Sequence, residues 1–357
     1  MFMNRLKVAQ VGCGYWGQNL IRNFWELESA EVVMACDPDE KARSRMARRY
    51  PTVQLARSYA EVLSSPNVEA VVLATPVSTH YEFAKQALLA GKHVLVEKPM
   101  TTTSLQAIDL IETAAREGKT LMVDHTFQYT AAVRRMKALI DSGELGELLY
   151  FDSVRINLGL VQSDTNVLWD LGPHDFSIMD FLLGQEPVSV SAIGVKHLRT
   201  PYENMAYVTA QFDSSLIAHF HLNWLAPVKV RRTLVGGSQK MLVYDDMEPS
   251  EKVKIYDRGV SQNHDPANRE RLLTSYRNGD SLAPNLDTTE AMRLMASEFV
   301  NAVQEKRAPL SDGYSGLRVV RLLEAAQRSI QQDGGVVLLS PMIPRPQISR
   351  AAVASVA

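Results

Sequence analysis

The sequence predicts an α/β protein in two parts: an N-terminal doubly wound parallel sheet, then a C-terminal α+β part with a large, mostly antiparallel open sheet. Three observations lead to this fold class. Short apolar runs alternate with helical patterns in the first third, a periodicity of two dominates after residue 147, and 357 residues are many for one hydrophobic core. We therefore expect domains over residues 1–125 and 126–340, followed by a tail over 341–357.

The N-terminal part alternates five candidate strands with four candidate helices. Strands separated by helices of this length indicate right-handed crossovers and a parallel sheet that is covered on both faces. The predicted strands are 5–11, 31–36, 69–74, 92–96 and 120–123, and the predicted helices are 17–28, 38–49, 77–90 and 103–116.

The C-terminal part is predicted to be a sheet with helices on one face. In residues 216–224 (LIAHFHLNW), apolar side chains alternate with polar ones, as in a half-buried antiparallel strand. The polar segment 258–286 is predicted to be a long surface loop. The other predicted strands are 187–197, 206–213, 229–236, 239–245 and 252–257, and the predicted helices are 131–142, 174–183, 288–304 and 314–332.

Composition and charge argue against several classes of function. A net charge of −2 and a pI of about 6.5 give no basic surface for nucleic acid or an anionic membrane. No apolar run approaches the roughly 18 residues that span a bilayer, and the first strand begins too early to leave room for a signal peptide. Two cysteines, Cys13 and Cys36, make neither a disulfide framework nor a zinc site. We expect a cytoplasmic, metal-free protein with both cysteines used in packing.

A glycine-rich turn follows the first strand and opens the first helix. The pattern G-x-G-x-x-G provides a tight turn, close approach of the backbone to a pyrophosphate, and free N–H groups at a helix N-terminus. Its position after a strand makes it a dinucleotide-binding signal of the Rossmann type. The expected cofactor contacts here are Gly12, Gly14, Tyr15, Trp16 and Gly17.

Asp37 ends the second strand, where a carboxylate can accept hydrogen bonds from both ribose hydroxyls and repel a 2′-phosphate. Asp39 lies nearby, and no arginine occurs before Arg43. The pattern favours NAD as the cofactor over NADP. Alternatively, Asp37 caps the helix that starts at Pro38, and the two roles can coexist.

Two further strand ends meet the same edge of the sheet. Thr75, Pro76 and His80 follow the third predicted strand, and Glu97-Lys98-Pro99 follows the fourth. Ligands bind at the carboxyl ends of parallel strands. We therefore expect the cofactor to contact Thr75, Pro76, His80, Glu97 and Lys98. Pro99 forces an extended conformation on Lys98 and thereby directs its amine.

On the stretches VGCGYWG, ATPVSTH, EKP and WDLGPHD, the sequence resembles the Gfo/Idh/MocA oxidoreductases over roughly residues 5 to 330. The resemblance implies oxidation or reduction of a secondary alcohol on a sugar, inositol or nucleotide-sugar with NAD(P). It places Lys98 on the lysine that contacts the nicotinamide ribose and the reacting oxygen. In similar proteins the corresponding Lys-Pro bond is often cis, and the sequence leaves the geometry of the Lys98–Pro99 bond open.

The stretch VLWDLGPHDFSIM holds Asp170 and His174, four residues apart. With a helix starting near Pro173, Asp170 lies in the lead-in loop and His174 in the first turn. The resemblance makes them the second half of a catalytic site with Lys98, in which an imidazole with a pKa near the working pH suits proton transfer. The alternative is that both residues stabilise a helix start. Asp175 is expected to be a cap partner, Asp180 to be solvated, and Trp169 to line either the substrate pocket or the core.

Other candidates have less support. Lys229, Arg231 and Arg232 could meet a substrate phosphate, with Arg231 as the assigned substrate contact, or could simply end an exposed strand. Gln128 and Tyr129 replace an arginine-phenylalanine pair that is frequent in similar proteins. His219 and His221 share one face of a strand, and we expect this face to form a homodimer or homotetramer interface.

The function expected from the sequence is NAD-dependent hydride transfer to or from a sugar, with a nucleotide-sugar preferred. Lys98 and His174 would move the alcohol proton, and Asp170 would hold a substrate hydroxyl or the histidine. The alternatives are a myo-inositol or free-sugar dehydrogenase, and a non-catalytic NAD-sensing regulator. A sensor could lose the lysine, aspartate or histidine, and this chain has all three.

Overall fold

The computed structural model describes residues 5–159, 165–263 and 273–341. Its N-terminal part contains a six-stranded parallel sheet in the order β3-β2-β1-β4-β5-β6, which is the strand order of a Rossmann domain. The strands are β1 (Leu6–Val11), β2 (Ala30–Cys36), β3 (Gln54–Ala56), β4 (Ala70–Leu73), β5 (His93–Val96) and β6 (Leu121–Val123).

Five helices connect these strands: α1 (Tyr15–Trp25), α2 (Glu40–Arg49), α3 (Tyr59–Ser64), α4 (Val77–Leu89) and α5 (Ser104–Arg116). Strand β3 and helix α3 were not predicted from the sequence. A three-residue edge strand is too short to show a periodicity, and α3 is six residues long. The start of α3 is nevertheless well defined, because Ser58 and Glu61 form a capping box.

The C-terminal part contains a nine-stranded sheet in the order β16-β13-β12-β11-β7-β10-β9-β8-β17. Neighbouring strands are antiparallel except for the pair β7 and β10, so the prediction of a mostly antiparallel sheet is confirmed. A separate two-stranded sheet pairs β14 with β15. The strands of both sheets in chain order are β7 (Leu148–Leu158), β8 (Ser189–Val195), β9 (Met205–Gln211), β10 (Ile217–Asn223), β11 (Leu225–Gly237), β12 (Met241–Asp245), β13 (Val253–Tyr256), β14 (Gly259–Asn263), β15 (Leu273–Arg277), β16 (Ser281–Leu282) and β17 (Val337–Leu338).

The helices of this part are α6 (Ala131–Asp141), α7 (Val167–Leu183), α8 (Ala291–Gln304) and α9 (Gly313–Gln331). Helices α6, α7 and α9 bury one face of the large sheet, while α8 returns to the first sheet, where Phe299 packs edge-on against Phe24. The opposite face of the large sheet carries exposed apolar side chains, including Ile193, Tyr207 and Ile217. Because α8 packs on the first sheet, the domain division at residue 125 stays a prediction.

Two predictions about the C-terminal part are wrong. The helix expected at 174–183 begins at Val167, where the Asn166 side chain caps the Trp169 N–H, so Asp170 lies in the first turn and not in a loop. Pro173 lies inside the helix. Proline is common at the first position of a helix, and this preference explains the wrong start. The expected loop at 258–286 contains the antiparallel pair β14–β15 and strand β16.

Residues 342–357 of the predicted tail lie outside the described residues. Within the described ranges, no helix combines the length and hydropathy needed to cross a membrane. The same ranges contain no group of three or more His, Cys, Asp or Glu side chains arranged to hold a metal ion.

Candidate active site

The glycine loop packs against the ends of β1 and β4. Gly12 has a φ of +85°, and a Cβ there would lie 2.3 Å from the Ala74 carbonyl oxygen. A Cβ on Gly17 would lie 1.9 Å from the Gly12 carbonyl oxygen, so both positions exclude a side chain. A Cβ on Gly14 would meet nothing within 4 Å. The loop therefore leaves open the place where a pyrophosphate would approach the α1 N-terminus.

Tyr15 and Trp16 begin α1, and their side chains are 76% and 49% exposed. The two rings meet edge to face with centroids 5.2 Å apart. Exposed aromatic side chains beside an open glycine loop can pack against a bound nucleotide.

The Asp37 carboxylate ties the glycine loop to the end of β2. Its Oδ2 accepts the Cys13 N–H at 2.7 Å, and its Oδ1 accepts the Asp39 N–H at 2.8 Å. The sequence suggested Asp37 as a possible cap of α2. The cap is instead Asp39, whose carboxylate accepts the N–H groups of Lys41 and Ala42. Asp37 is half-buried and keeps lone pairs for ribose hydroxyls.

The guanidinium of Arg43 is engaged by the backbone at the end of β2. Its Nη1 donates to the carbonyl oxygens of Asp37 and Pro38 at 2.7 and 2.8 Å. This arrangement agrees with NAD as the preferred cofactor.

Cys13 and Cys36 are buried and free. Burial raises the pKa of Cys13 to about 12 and that of Cys36 to about 11, so both thiols are protonated. Their expected use as packing residues is confirmed.

The loop after β4 places Thr75 and Pro76 at the carboxyl edge, but His80 is buried behind this edge. The His80 ring lies between two carbonyl oxygens, with Nδ1 2.9 Å from that of Pro99 and Nε2 2.8 Å from that of Thr75. Burial lowers its pKa. His80 thus links the two loops that follow β4 and β5.

Lys98 projects from the end of β5 towards α7. Its Nζ donates to the Asp170 backbone carbonyl oxygen at 2.7 Å and lies 3.5 Å from Asp170 Oδ1. The Lys98–Pro99 bond, which the sequence left open, is cis. Glu97 is buried, and its Oε2 accepts the Lys98 N–H at 3.1 Å. The structure thus brings Lys98 and Asp170 together across the two parts of the chain.

His174 lies one helical turn after Asp170, on the same side of α7. Its ring meets the Phe127 ring edge to face, with centroids 5.2 Å apart. Burial, followed by the positive charges of Lys98, Arg155 and Arg231, lowers the pKa of His174 well below its ordinary value. The imidazole is therefore neutral at pH 7 and can accept a proton, with a lower pKa than the sequence analysis assumed.

Trp224 was missed as a site residue. Its Nε1–H donates to Asp170 Oδ2 at 3.1 Å, while Lys98 lies nearer Oδ1. The two partners hold the Asp170 carboxylate between them. The sequence indicated Trp224 only as an apolar residue of its strand.

A buried ion pair supports the His174 side of the site. Arg155 donates to both carboxylate oxygens of Asp175 at 2.8 and 2.9 Å, and both side chains are less than 5% exposed. The Arg155 guanidinium also lies 4.6 Å from the centre of the Phe127 ring. Asp175 is therefore not a cap partner. Asp180 is not solvated either, because it is buried and paired with Arg318.

Strand alternation separates the neighbouring arginines of β11. Arg231 contributes to the positive surroundings of His174 and donates to Asp246 at 3.2 Å, while its buried Nε has no hydrogen-bond partner among the described residues. Arg232 pairs with Asp245. Trp169 is partly buried and packs against the core of the large sheet.

The remaining candidates lie in structural contacts. Gln128 donates to the Ser177 carbonyl oxygen at 3.1 Å, and the Tyr129 hydroxyl lies 2.9 Å from Ser311 Oγ. His221 stacks on Tyr207, with ring centroids 4.4 Å apart, on the face of the large sheet that is covered by none of the helices in the described ranges.

Comparison with known proteins identifies both parts of the chain. A family model described as "Oxidoreductase family, NAD-binding Rossmann fold" matches residues 6–125, and one described as "GFO/IDH/MocA C-terminal domain" matches residues 133–243. The N-terminal part is thus an NAD-binding Rossmann domain.

Relatives of different specificity match this chain. Inositol 2-dehydrogenase 2 of Saccharopolyspora erythraea is 32% identical over 52% of this chain, and the match spans 56% of that protein. An uncharacterized oxidoreductase of Escherichia coli is 27% identical over 91% of this chain and 97% of its own length. UDP-N-acetylglucosamine 3-dehydrogenase of Acidithiobacillus ferrooxidans is 24% identical over 89% of this chain and 95% of its own length.

Among solved structures, the WlbA dehydrogenase of Bordetella pertussis in complex with NADH and UDP-GlcNAcA has the same fold. The TM-score is 0.80 at 19% identity, and the match covers 96% of this chain and 100% of that one.

Proposed function

The chain belongs to the Gfo/Idh/MocA family of NAD-dependent oxidoreductases, and from this premise we propose that it transfers a hydride between NAD and a secondary alcohol carbon of a nucleotide-sugar. The observation that carries the proposal is the convergence of Lys98, Asp170 and His174 at the carboxyl edge of the Rossmann sheet. The proposed two-domain division assigns residues 1–125 to the cofactor and 126–340 to the substrate.

The residues present fit the cofactor. Gly14 leaves space at the α1 N-terminus for the pyrophosphate, and the half-buried Asp37 carboxylate can accept the ribose hydroxyls. Bound NAD supplies the hydride acceptor, and the protein holds the substrate and moves the proton.

Proton transfer falls to Lys98 and His174 in this proposal. The neutral His174 imidazole accepts the alcohol proton during oxidation and returns it during reduction. The Lys98 ammonium donates a hydrogen bond to the reacting oxygen, which acquires negative charge as the proton leaves. Asp170, held by Lys98 and Trp224, orients the ammonium and accepts a hydrogen bond from a neighbouring substrate hydroxyl.

Arg231 supports a nucleotide-sugar over a free sugar. Its side chain is 31% exposed and near His174, and although Nη1 is paired with Asp246, the remaining N–H groups of the guanidinium would meet a diphosphate there. The name of the Acidithiobacillus relative agrees with this class, and that of the Saccharopolyspora relative favours the alternative of inositol or another free polyol. A non-catalytic NAD sensor is the third candidate.

The proposed assembly is a homodimer or homotetramer through the uncovered face of the large sheet. Ile193, Tyr207 and Ile217 are 58%, 40% and 42% exposed on this face. A second copy would remove these apolar side chains from water. The cytoplasmic location stays a prediction of the sequence.

The experiment that tests the function is a panel of UDP-sugars, dTDP-sugars, free sugars and inositols with NAD, measured by NADH absorbance. We expect turnover with a nucleotide-sugar, and we expect Arg231→Met to raise KM for that substrate with little change in kcat. Turnover with inositols or free sugars alone would replace the proposed substrate class. Tight NAD binding without turnover of any polyol would favour the sensor.

A further inference from the structure

Two buried carboxyl groups lie side by side behind Lys98. Glu97 follows β5 and Asp124 follows β6, directly after the register pair Val96 and Val123 of these parallel strands. Glu97 is 8% exposed and Asp124 is 4% exposed. The Asp124 N–H donates to the Val96 carbonyl oxygen at 2.8 Å, which continues the register and sets the two acids beside each other. Two ionised carboxylates side by side and away from water would repel each other at high cost, so the pair retains one proton at neutral pH.

Local hydrogen bonds determine which group holds the proton. Asp124 accepts both the hydroxyl and the backbone N–H of Thr126, which favours its ionised form. Glu97 accepts one backbone N–H, from Lys98. Burial raises the pKa of Glu97 well above its ordinary value and also raises that of Asp124. These contacts place the proton on Glu97 and the negative charge on Asp124.

Lys98 partly offsets this negative charge, and the other charged or titratable groups named here are neutral or paired elsewhere. Lys98 is the cation whose charge acts on both acids. Next in the chain, His125 is buried and neutral, because burial lowers its pKa to about 3. On α9, which packs against β6, Arg318 is paired with Asp180.

We propose that Glu97 and Asp124 share one proton and that Asp124 is a positioning residue, which presents a fixed negative charge behind Lys98 and the nicotinamide position. The inference rests on the proposed placement of Lys98 at the nicotinamide. The nicotinamide ring is positively charged in NAD⁺ and neutral in NADH. A buried negative charge beside it therefore favours binding of the oxidised cofactor.

The test compares two isosteric variants, Glu97→Gln and Asp124→Asn, by calorimetric titration of the full chain with NAD⁺ and NADH. Asp124→Asn removes the charge, and we expect it to weaken NAD⁺ about three- to tenfold relative to NADH. Glu97→Gln replaces a neutral acid by a neutral amide, and we expect the ratio of the two Kd values to stay within about twofold. The reverse order of effects, or an unchanged ratio in both variants, would overturn the proposal.

Infrared difference spectroscopy tests the proton without any ligand. The folded wild-type chain should have a protonated carboxyl band at neutral pH that disappears in Glu97→Gln. The control Asp109→Asn, which removes a carboxylate paired with Lys85, should keep it. Absence of the band from the wild type would overturn the proposal even if a variant fails to fold. Neither measurement uses a sugar, so failure here is distinct from failure of the proposed substrate class.

Discussion

Lys98 and Asp170 connect the two sheets at the candidate active site: the lysine Nζ donates to the aspartate backbone carbonyl oxygen at 2.7 Å and lies 3.5 Å from its carboxylate Oδ1. The Lys98 side chain is 12% exposed. Its ammonium is thus held at a fixed place between the cofactor edge and α7, where a substrate hydroxyl would meet both the lysine and the imidazole of His174.

Replacement of Lys98 by Met should lower turnover by about two to four orders of magnitude, the usual range for a lost acid–base group. NAD affinity and thermal unfolding should change little, since the side chain is partly exposed and its methylene groups are retained. Steady-state kinetics with the substrate found in the panel, together with NAD titration, check this. Undiminished turnover would remove Lys98 from the mechanism.

Replacement of Asp37 by Asn should weaken NAD about tenfold or more and narrow its advantage over NADP, because a neutral amide no longer repels a 2′-phosphate. Titration with both cofactors measures this effect. Asp39→Asn is the matched control: asparagine caps helices as well as aspartate does, so cofactor affinity should be retained. An equal loss of NAD affinity in the two variants would contradict a direct contact between the Asp37 carboxylate and the ribose.

Acid should destabilise the protein through His125. Neither ring nitrogen of this buried side chain has a hydrogen-bond partner among the described residues, and burial lowers its pKa to about 3. The unfolded chain takes up the proton below about pH 6.5, whereas the native chain does so only near pH 3. Stability is therefore lost as pH falls through this window, by about 1.4 kcal/mol per pH unit for this residue.

Thermal unfolding between pH 7 and pH 5 measures the effect. His125→Phe should reduce the loss by roughly 2 kcal/mol at pH 5. The control His197→Phe, at an exposed position, should leave the wild-type pH dependence unchanged. An identical acid response of wild type and His125→Phe would exclude His125 as the cause.

Removal of one partner of the Arg155–Asp175 ion pair should be costly. Asp175→Asn leaves a buried guanidinium unpaired and should lower the free energy of unfolding by about 3–5 kcal/mol, measured by urea denaturation. The double variant Arg155→Met, Asp175→Leu should regain most of this stability. It should still have a lowered kcat, because Phe127, which packs edge-on against His174, loses the guanidinium that lies over its ring. Wild-type kcat in the double variant would limit the pair to a structural role.

Replacement of Ile217 by Asp should dissociate the proposed oligomer, because it places a charge on the uncovered sheet face. Sedimentation at micromolar concentration measures the assembly. Leu105→Asp is the control, since Leu105 is 77% exposed on α5, in the Rossmann part of the chain. A wild-type protein that sediments only as a monomer would contradict the interface.

Local signals were sufficient for the cofactor edge of the Rossmann part, although not for its short elements β3 and α3. Gly12, Gly17 and Asp37 act within about 25 residues of one another, and their positions follow directly from strand, turn and helix chemistry. Short motifs and the family resemblance they carry also predicted Lys98, Asp170 and His174 as candidates. The sequence could not predict the cap of α7, because Pro173 was the stronger signal for a helix start than Asn166.

The sequence by itself determined the two-part α/β fold, the NAD-binding edge and the motif residues, since each depends on periodicity or on spacing along a short stretch. Only the tertiary structure decided which groups are paired and which are charged. Arg155 meets Asp175 from another element, Trp224 meets Asp170 across 54 residues, and Glu97 meets Asp124 between neighbouring strands. Hydrogen bonding and burial depend on distances in space, which the order of residues along the chain does not fix.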